Sequence, residues 1–486
     1  MIKKGDIYNY YNEAKKKYTA LQVAEENQYI LLALYYWEDE ALTADKLNEI
    51  KPFWKDHHSW KGEYTFIQCE GSMPDNYTFV GNREVMVTPE EPETSSWYYN
   101  CLQISLQKAW DELPESFRTG YKNNKYGSSI MLAKEIAALT DGSGLGKYNH
   151  LTQLEVEGAN NWVMDYINEH HNITELSWKN ASEKVIDLSK NRITDFKTDG
   201  KGICKIILSD YLNAVYFLDT VPETLQLIPT AKNGALDLHL RNTINLQVFK
   251  NINITELYIV GNGKEPIDMK QIADNFNNLQ VLRIWGAPDF IYNFNEIASL
   301  KHLRWLTLKE IFGFTVNDIP LPQALPAIKR IWMDSIPDEA AQKVKKEYKF
   351  LAKNNKYDLW ITKGRKPDWL EANLNNPFRH WDGDEFISPA HAKKAAKIYT
   401  NYYNQINKLI TENTSADQLQ NWLEEMVKTY TQEFNKMDKR THWIDTVTRE
   451  DIWEALNLLL KPVTEVYGTK VDTNELFELF EKIMDF

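Results

Sequence analysis

Adjacent histidines occur twice, at His57-His58 with Glu63 close behind and at His170-His171 after Glu169. A zinc hydrolase needs two imidazoles four residues apart on one helix face, with a glutamate between them. Neighbouring residues point in different directions on a helix or a strand, so neither pair makes a joint ligand set and no metal site is expected. Gly142-Ser-Gly-Leu-Gly-Lys147 carries part of the spacing of a phosphate-binding loop. Asp141 stands where the first glycine belongs, however, and Tyr148 where a magnesium-holding hydroxyl belongs. The segment also follows a predicted helix where the loop requires a strand, so a linker is expected. Trp381-Asp-Gly-Asp-Glu385 groups three carboxylates, the chemistry of a hard cation. It lacks the alternating ligands and the twelfth-position glutamate of a calcium loop, and reads as a turn. No Gly-x-Ser-x-Gly nucleophile elbow is present. These residues assign no catalytic group and no cofactor.

A second set of residues has the chemistry of recognition. Ile254-Thr-Glu-Leu257-Tyr-Ile259, Leu279-Gln-Val-Leu282-Arg-Ile284, Leu303-Arg-Trp-Leu306-Thr-Leu308 and Ile328-Lys-Arg-Ile331-Trp-Met333 share one apolar-x-x-apolar-x-apolar pattern. Their third apolar positions, 259, 284, 308 and 333, are 25, 24 and 25 residues apart. A fixed period in the twenties marks a solenoid of short parallel strands with a long concave face. Strand side chains alternate, so the residues between and after the last two apolar positions face outward. That rule places His239, Arg241, Tyr258, Arg283, Trp285, Thr307, Lys309, Trp332 and Asp334 on the concave face, with Glu155, Glu157, Asp187 and Ser189 at its early end. Tryptophan, tyrosine and arginine dominate binding hot spots, because they join large contact area to a polar handle. An acidic early end and a basic, aromatic late end suit a partner bearing both signs of charge, which points to a protein.

The surrounding sequence must position this face. Its 486 residues exceed one ordinary core, and 43% hydrophobic content is ample for burial. The formal net charge of −13 opposes general binding of nucleic acid. Cys69, Cys101 and Cys204 are far apart and odd in number, consistent with reduced thiols in a cytoplasmic protein. The first residues have no apolar stretch behind Lys3-Lys4, and Tyr29 to Trp37 is too short to span a bilayer, so no membrane partner is expected. The sequence does not define an oligomeric state.

Three regions are expected: an α+β domain over 1–148, a solenoid with a terminal cap over 149–365, and a helical domain over 366–486. In the first, Gln22 to Trp37 reads as a helix, Thr43 as an N-cap for Ala44 to Ile50, and Trp97 to Leu113 as an amphipathic helix stopped by Pro114. Tyr77 to Val80 and Glu84 to Val87 read as strands joined by a Gly81-Asn82 hairpin turn, and Ser129 to Leu139 as a helix. Repeat units begin at Leu151 and Ile173. Weaker ones follow at Ile203 to Leu208, Leu225 to Leu227 and Leu236 to Leu240, where the step from 227 to 240 is only 13. Asn191, and Asn262 in the same place later, should hydrogen-bond the backbone at the turn leaving the strand. In the last region Ser388-Pro389 starts a long helix, Thr448 to Asp451 has capping-box spacing, and Asp472 or Thr473 starts a helix reaching Phe486.

The pattern over 254–336, and more loosely from 151, resembles bacterial leucine-rich-repeat proteins. Asn376-Pro-Phe-Arg-His-Trp-Asp-Gly383, the alanine-rich Ala390 to Ala396 and Trp443-Ile-Asp-Thr-Val-Thr-Arg-Glu450 are similar to tails of uncharacterised bacterial repeat proteins. The resemblance implies a solenoid and transfers no catalytic residue. The expected function is a non-catalytic protein-binding scaffold or regulator. The alternative is an enzyme with its site in the N-terminal region, around His57, His58, Trp60 and Glu63, and with the repeats selecting the substrate.

Overall fold

The computed structural model describes residues 2–486, except 13–15, 27–29, 70–72, 75, 96, 98, 124–127, 146, 147, 149, 231–234, 354–357, 363, 440 and 441. The chain is mixed α/β, with many parallel strands and a helical C-terminal region, and forms two compact units, Met1–Gly364 and Arg365–Phe486.

The first unit opens with a six-stranded sheet in the order Tyr77–Asn82, Asp6–Asn12, Lys17–Glu25, Ile30–Glu38, Phe66–Cys69, Glu93–Ser95. The helix expected over Gln22 to Trp37 is instead two antiparallel strands. Ile30, Leu32, Leu34 and Tyr36 pack on one side with Ile7 and Leu42. Leu31 packs on the other with Leu21, Val23 and Ile67, and Ala33 meets Phe53 and Ile104. A strand covered on both faces is apolar at every position, and so loses the alternation that distinguishes it from a buried helix.

The Gly81-Asn82 hairpin is also absent. Tyr77–Asn82 pairs with Asp6–Asn12, and Glu84 to Val87 forms no strand. The buried side chain of Gln22 holds that segment instead, donating to the carbonyls of Arg83 and Glu84 at 2.9 and 3.2 Å and accepting from the Met86 N–H at 3.3 Å. Thr43 precedes only a 3-10 turn, Ala44–Lys46, and makes no side-chain cap. The amphipathic helix runs Tyr99–Asp111. The helix expected from Ser129 to Leu139 divides into a strand, Ile130–Met131, and one turn, Ala133–Ile136. Gly142–Leu145 is a 3-10 turn, while Gly146 and Lys147 of the glycine-rich segment lie outside the described residues.

From Ile130 onward a twelve-stranded sheet grows by parallel additions. Leu154, Leu176, Phe196, Val215, Leu238, Leu257, Leu282, Leu306, Ile331 and Leu359 are register partners in succession. All of them except the half-buried Leu359 are buried in one continuous apolar core, each contributing about 1.5–3 kcal/mol by leaving water.

Register between 178 and 240 departs from expectation. Val185–Asp187, Lys205–Ile207 and Gln226–Ile228 form a separate three-stranded parallel sheet. The long sheet is continued there by Asp195–Thr198 and Ala214–Phe217. The short step from Leu227 to Leu240 therefore compares two different sheets. Asp187 and Ser189 consequently lie off the long sheet, bonded to each other at 2.6 Å.

Asn191 is buried, accepts from the Ile193 N–H at 3.3 Å and donates to the side-chain oxygen of Asn168 at 3.1 Å. Asn262 differs from it: it is exposed and accepts from the Lys264 and Glu265 N–H groups of its own turn.

In the second unit the helices Pro389–Thr411, Ala416–Asp438, Thr446–Tyr467 and Thr473–Ile483 enclose one core that includes Trp381, Tyr430 and Phe434. Ser388 caps the first through the His391 N–H at 3.2 Å. The third starts earlier than expected, because Asp445 caps it by accepting from the Thr448 N–H at 2.9 Å. That frees Asp451 to accept from Trp381 Nε1 at 2.7 Å and pair with His380 at 2.8 Å. The last helix, capped by Asp472, ends at Ile483. The Trp381 to Glu385 segment is a turn: Asp382 accepts from Arg365 and Trp369, each at 2.6 Å, and Asp384 from the Phe386 N–H at 2.8 Å. Among the described residues no cluster of three or more His, Cys, Asp or Glu could hold a metal.

Asn191→Ala leaves the Ile193 N–H and the Asn168 amide oxygen without those partners in a buried turn. It should cost about 1–3 kcal/mol in a denaturant titration; a silent change would contradict this role.

Candidate functional site

Parallel pairing brings five of the expected recognition residues into one row. His239, Tyr258, Arg283, Thr307 and Trp332 are consecutive register partners on five strands. Each faces away from the core because its neighbours in sequence, such as Leu282 and Ile284 around Arg283, are buried. Trp285, Lys309 and Asp334 form a second row two residues further along the strands. Arg241 lies beyond the end of Leu236–Leu240 and is exposed. Glu155 and Glu157 sit on the early strand Gln153–Glu157.

Rings and cations of the first row stack on one another and on neighbouring side chains. The Tyr216 and His239 rings are 4.0 Å apart, His239 and Tyr258 4.3 Å, and Tyr258 and Trp285 6.0 Å, all near parallel. Lys197 stands 5.3 Å from the Tyr216 ring centre at one end. At the other end the Arg283 guanidinium lies 5.0 Å from the Tyr258 ring and 3.8 Å from that of Trp305. Arg330 then lies 4.2 Å from Trp305 and 5.1 Å from Trp332. Ring pairs and cation–ring contacts of this kind are worth about 0.5–2 kcal/mol each, so the row holds its shape. Tyr258 donates to Glu256 at 2.6 Å, and Trp332 Nε1 donates to Asp358 at 2.7 Å. Asp334 accepts from the Thr362 hydroxyl at 2.6 Å.

Sequence reading missed Tyr216, Trp305 and Arg330. Trp305 and Arg330 stand two residues before Thr307 and Trp332, so alternation alone places them on the same face. Tyr216 was hidden because its strand, Ala214–Phe217, was not recognised.

Burial, followed by the charges of Lys197 and Arg283, holds the His239 imidazole at about 4. Burial and the neighbouring Asp195 push Tyr216 up to about 12. Burial and the bond to Glu256 raise Tyr258. The rings are therefore neutral at physiological pH, and the charge of the row is carried by Lys197, Arg283 and Arg330. Three buried polar atoms at its centre, Arg283 Nε, Trp305 Nε1 and Thr307 Oγ1, have no hydrogen-bond partner among the described residues. Such atoms typically cost about 1–3 kcal/mol each.

The N-terminal residues named for an enzyme fall into two groups. Trp60 and Glu63 enclose the fully buried Lys55, whose Nζ is 3.0 Å from Glu63, 3.3 Å from the Trp60 ring centre and also bonded to Glu93. His57 bonds Gln103 and His58 at 2.9 Å each. Burial and then His57 lower His58 to about 4. His58 also lines a cavity of about 450 Å³ with Cys101, Lys108, Glu112, Arg192 and Asp210.

No protein-family model matches the chain, and no curated protein does. Among solved structures, the crystal structure of a Bacteroides fragilis protein is 12% identical, covering 75% of this chain and 97% of that one at a TM-score of 0.29. A likeness of that degree carries no structural argument.

The His239 environment is directly measurable. Its folded pKa is depressed from an unfolded value of about 6.5, so unfolding takes up a proton between about pH 6.5 and pH 4. His239 thus contributes stability that is present above pH 6.5 and lost as pH falls to about 4. NMR titration should find its midpoint near 4, rising in Lys197→Ala; a midpoint near 6.5 would contradict the buried stack.

Proposed function

We propose that the long parallel sheet and its connecting segments form a leucine-rich-repeat solenoid of the bacterial type, and that the chain is a non-catalytic protein-binding scaffold or regulator. The repeated register position from Leu154 to Leu359 supports the solenoid. The observation that carries the binding role is the row from Lys197 to Trp332, a run of rings and guanidinium groups held in order on the solvent side of a parallel sheet. Its rings stand against one another, so both faces of His239 are covered by tyrosines. A sugar or a base finds no open face on His239 on which to stack. Edges, hydroxyls and guanidinium groups remain, which suits the mixed polar and apolar surface of a protein. No described helix is long and apolar enough to cross a membrane. Three cysteines, far apart in sequence and odd in number, support a reducing, cytoplasmic setting.

A second reading rests on the cavity beside His58, whose mixed lining, with Trp37, Leu106 and Trp110 beside Lys108, Glu112 and Arg192, suits a small molecule or substrate bearing both apolar and polar groups.

Trp285→Ala with Trp332→Ala should lower affinity for the partner by about 2 kcal/mol or more, the hot-spot scale, with the fold intact by circular dichroism. A pull-down from host lysate, wild type beside the double variant, should recover a protein with the wild type alone. Equal recovery by both would remove the row from the account. For the cavity, Ala109→Trp should abolish any thermal stabilisation by a small-molecule ligand; undiminished stabilisation would exclude this cavity as its site.

A further inference from the structure

We infer that the centre of the row is a carboxylate-binding subsite, which receives an aspartate or glutamate side chain of the protein partner. This rests on the binding role proposed above and specifies its chemistry.

Arg283 and Thr307 are register partners on adjacent strands, and Trp305 lies two residues before Thr307 on the same strand. The Arg283 guanidinium lies 3.8 Å from the Trp305 ring centre. Within this group Arg283 Nε, Trp305 Nε1 and Thr307 Oγ1 are buried and unpartnered, and Thr307 is only 9% exposed. Native structures satisfy nearly all such groups, and an unsatisfied set in one place requires an explanation. The two nitrogens are obligate donors and the hydroxyl is able to donate. Three donors beside the charges of Arg283 and Arg330 call for an anionic acceptor.

A carboxylate fits better than a phosphate. It is planar, carries one charge and accepts charge-assisted hydrogen bonds from a guanidinium. A dianion would meet Asp358, 3.7 Å from Arg330, and Glu256, bonded to Tyr258. Arg283, Trp305, Arg330 and Trp332 are all half-exposed long side chains. Because the three donors are buried, a carboxylate would reach them through rotamer changes of these side chains. Free protein thus carries unmet hydrogen bonds, and an arriving carboxylate satisfies them together.

The experiment is an anisotropy titration of full-length protein with fluorescent oligoglutamate, beside oligoglutamine of the same length and with inorganic phosphate as competitor. Oligoglutamate should bind wild type, oligoglutamine should not, and Thr307→Val and Arg283→Gln should each weaken binding at least about tenfold. Thr307→Val should melt no lower than wild type, because it removes an unpaired buried hydroxyl while keeping the shape; a purely structural threonine would show the reverse pattern. Failure of oligoglutamate to bind, equal binding of oligoglutamine, undiminished binding by both folded variants, or displacement by phosphate alone would overturn the assignment. The parallel pull-down separates the two levels. A partner lost by the Trp285/Trp332 variant but kept by Thr307→Val leaves the scaffold standing and removes the carboxylate subsite. A partner kept by both removes the scaffold reading as well.

Discussion

In-register parallel backbone pairing is the constraint on which the long sheet depends. Each strand from Gln153–Glu157 to Asp358–Ile361 hydrogen-bonds the next without reversing direction. A one-residue slip anywhere would exchange the inner and outer faces of a strand. The apolar series from Leu154 to Ile331 opposes that slip, because a one-residue shift would expose a core residue and turn an outward side chain into the core. The same lock that fills the core therefore aligns His239, Tyr258, Arg283, Thr307 and Trp332 across five strands. The row is a by-product of the core's periodicity, sharpened by the choice of residue at each outward position.

That choice leaves the face with an internal tension. Rings and guanidinium groups stabilise one another by stacking, while the donors beneath them go unmet. A passive surface would resolve this with a valine at 307 or an acceptor opposite Trp305. Nearby residues show such resolution: Trp332 has Asp358, Tyr258 has Glu256, and Asp334 has Thr362. The clustering of three unmet polar atoms at Arg283, Trp305 and Thr307 supports the proposed subsite.

Legibility in the sequence followed the regularity of burial. Where one strand face is solvated, as at Leu257-Tyr-Ile259 and Ile331-Trp-Met333, alternation and period gave strand, register and outward residues together. Where both faces are covered, as at Ile30 to Tyr36, the apolar run was continuous and a strand looked like a helix. Between 178 and 240 two sheets interleave along the chain, so Ile206 and Leu227 carried the repeat's chemistry in a different layer from Val215 and Leu238. Alternation also places Trp305 and Arg330 on the outward face, ahead of the second apolar position of their units. The unpartnered atoms were beyond reach, since they depend on which side chains fail to meet.

Site-specific photocrosslinking in the host cell tests the central claim most directly. A benzoylphenylalanine placed at Lys309, exposed beside the row, should crosslink one protein; the same probe at Val185, exposed on the three-stranded sheet, should not. Crosslinking from Val185 alone, or from neither position with both proteins folded, would contradict the assignment of the row as the docking face.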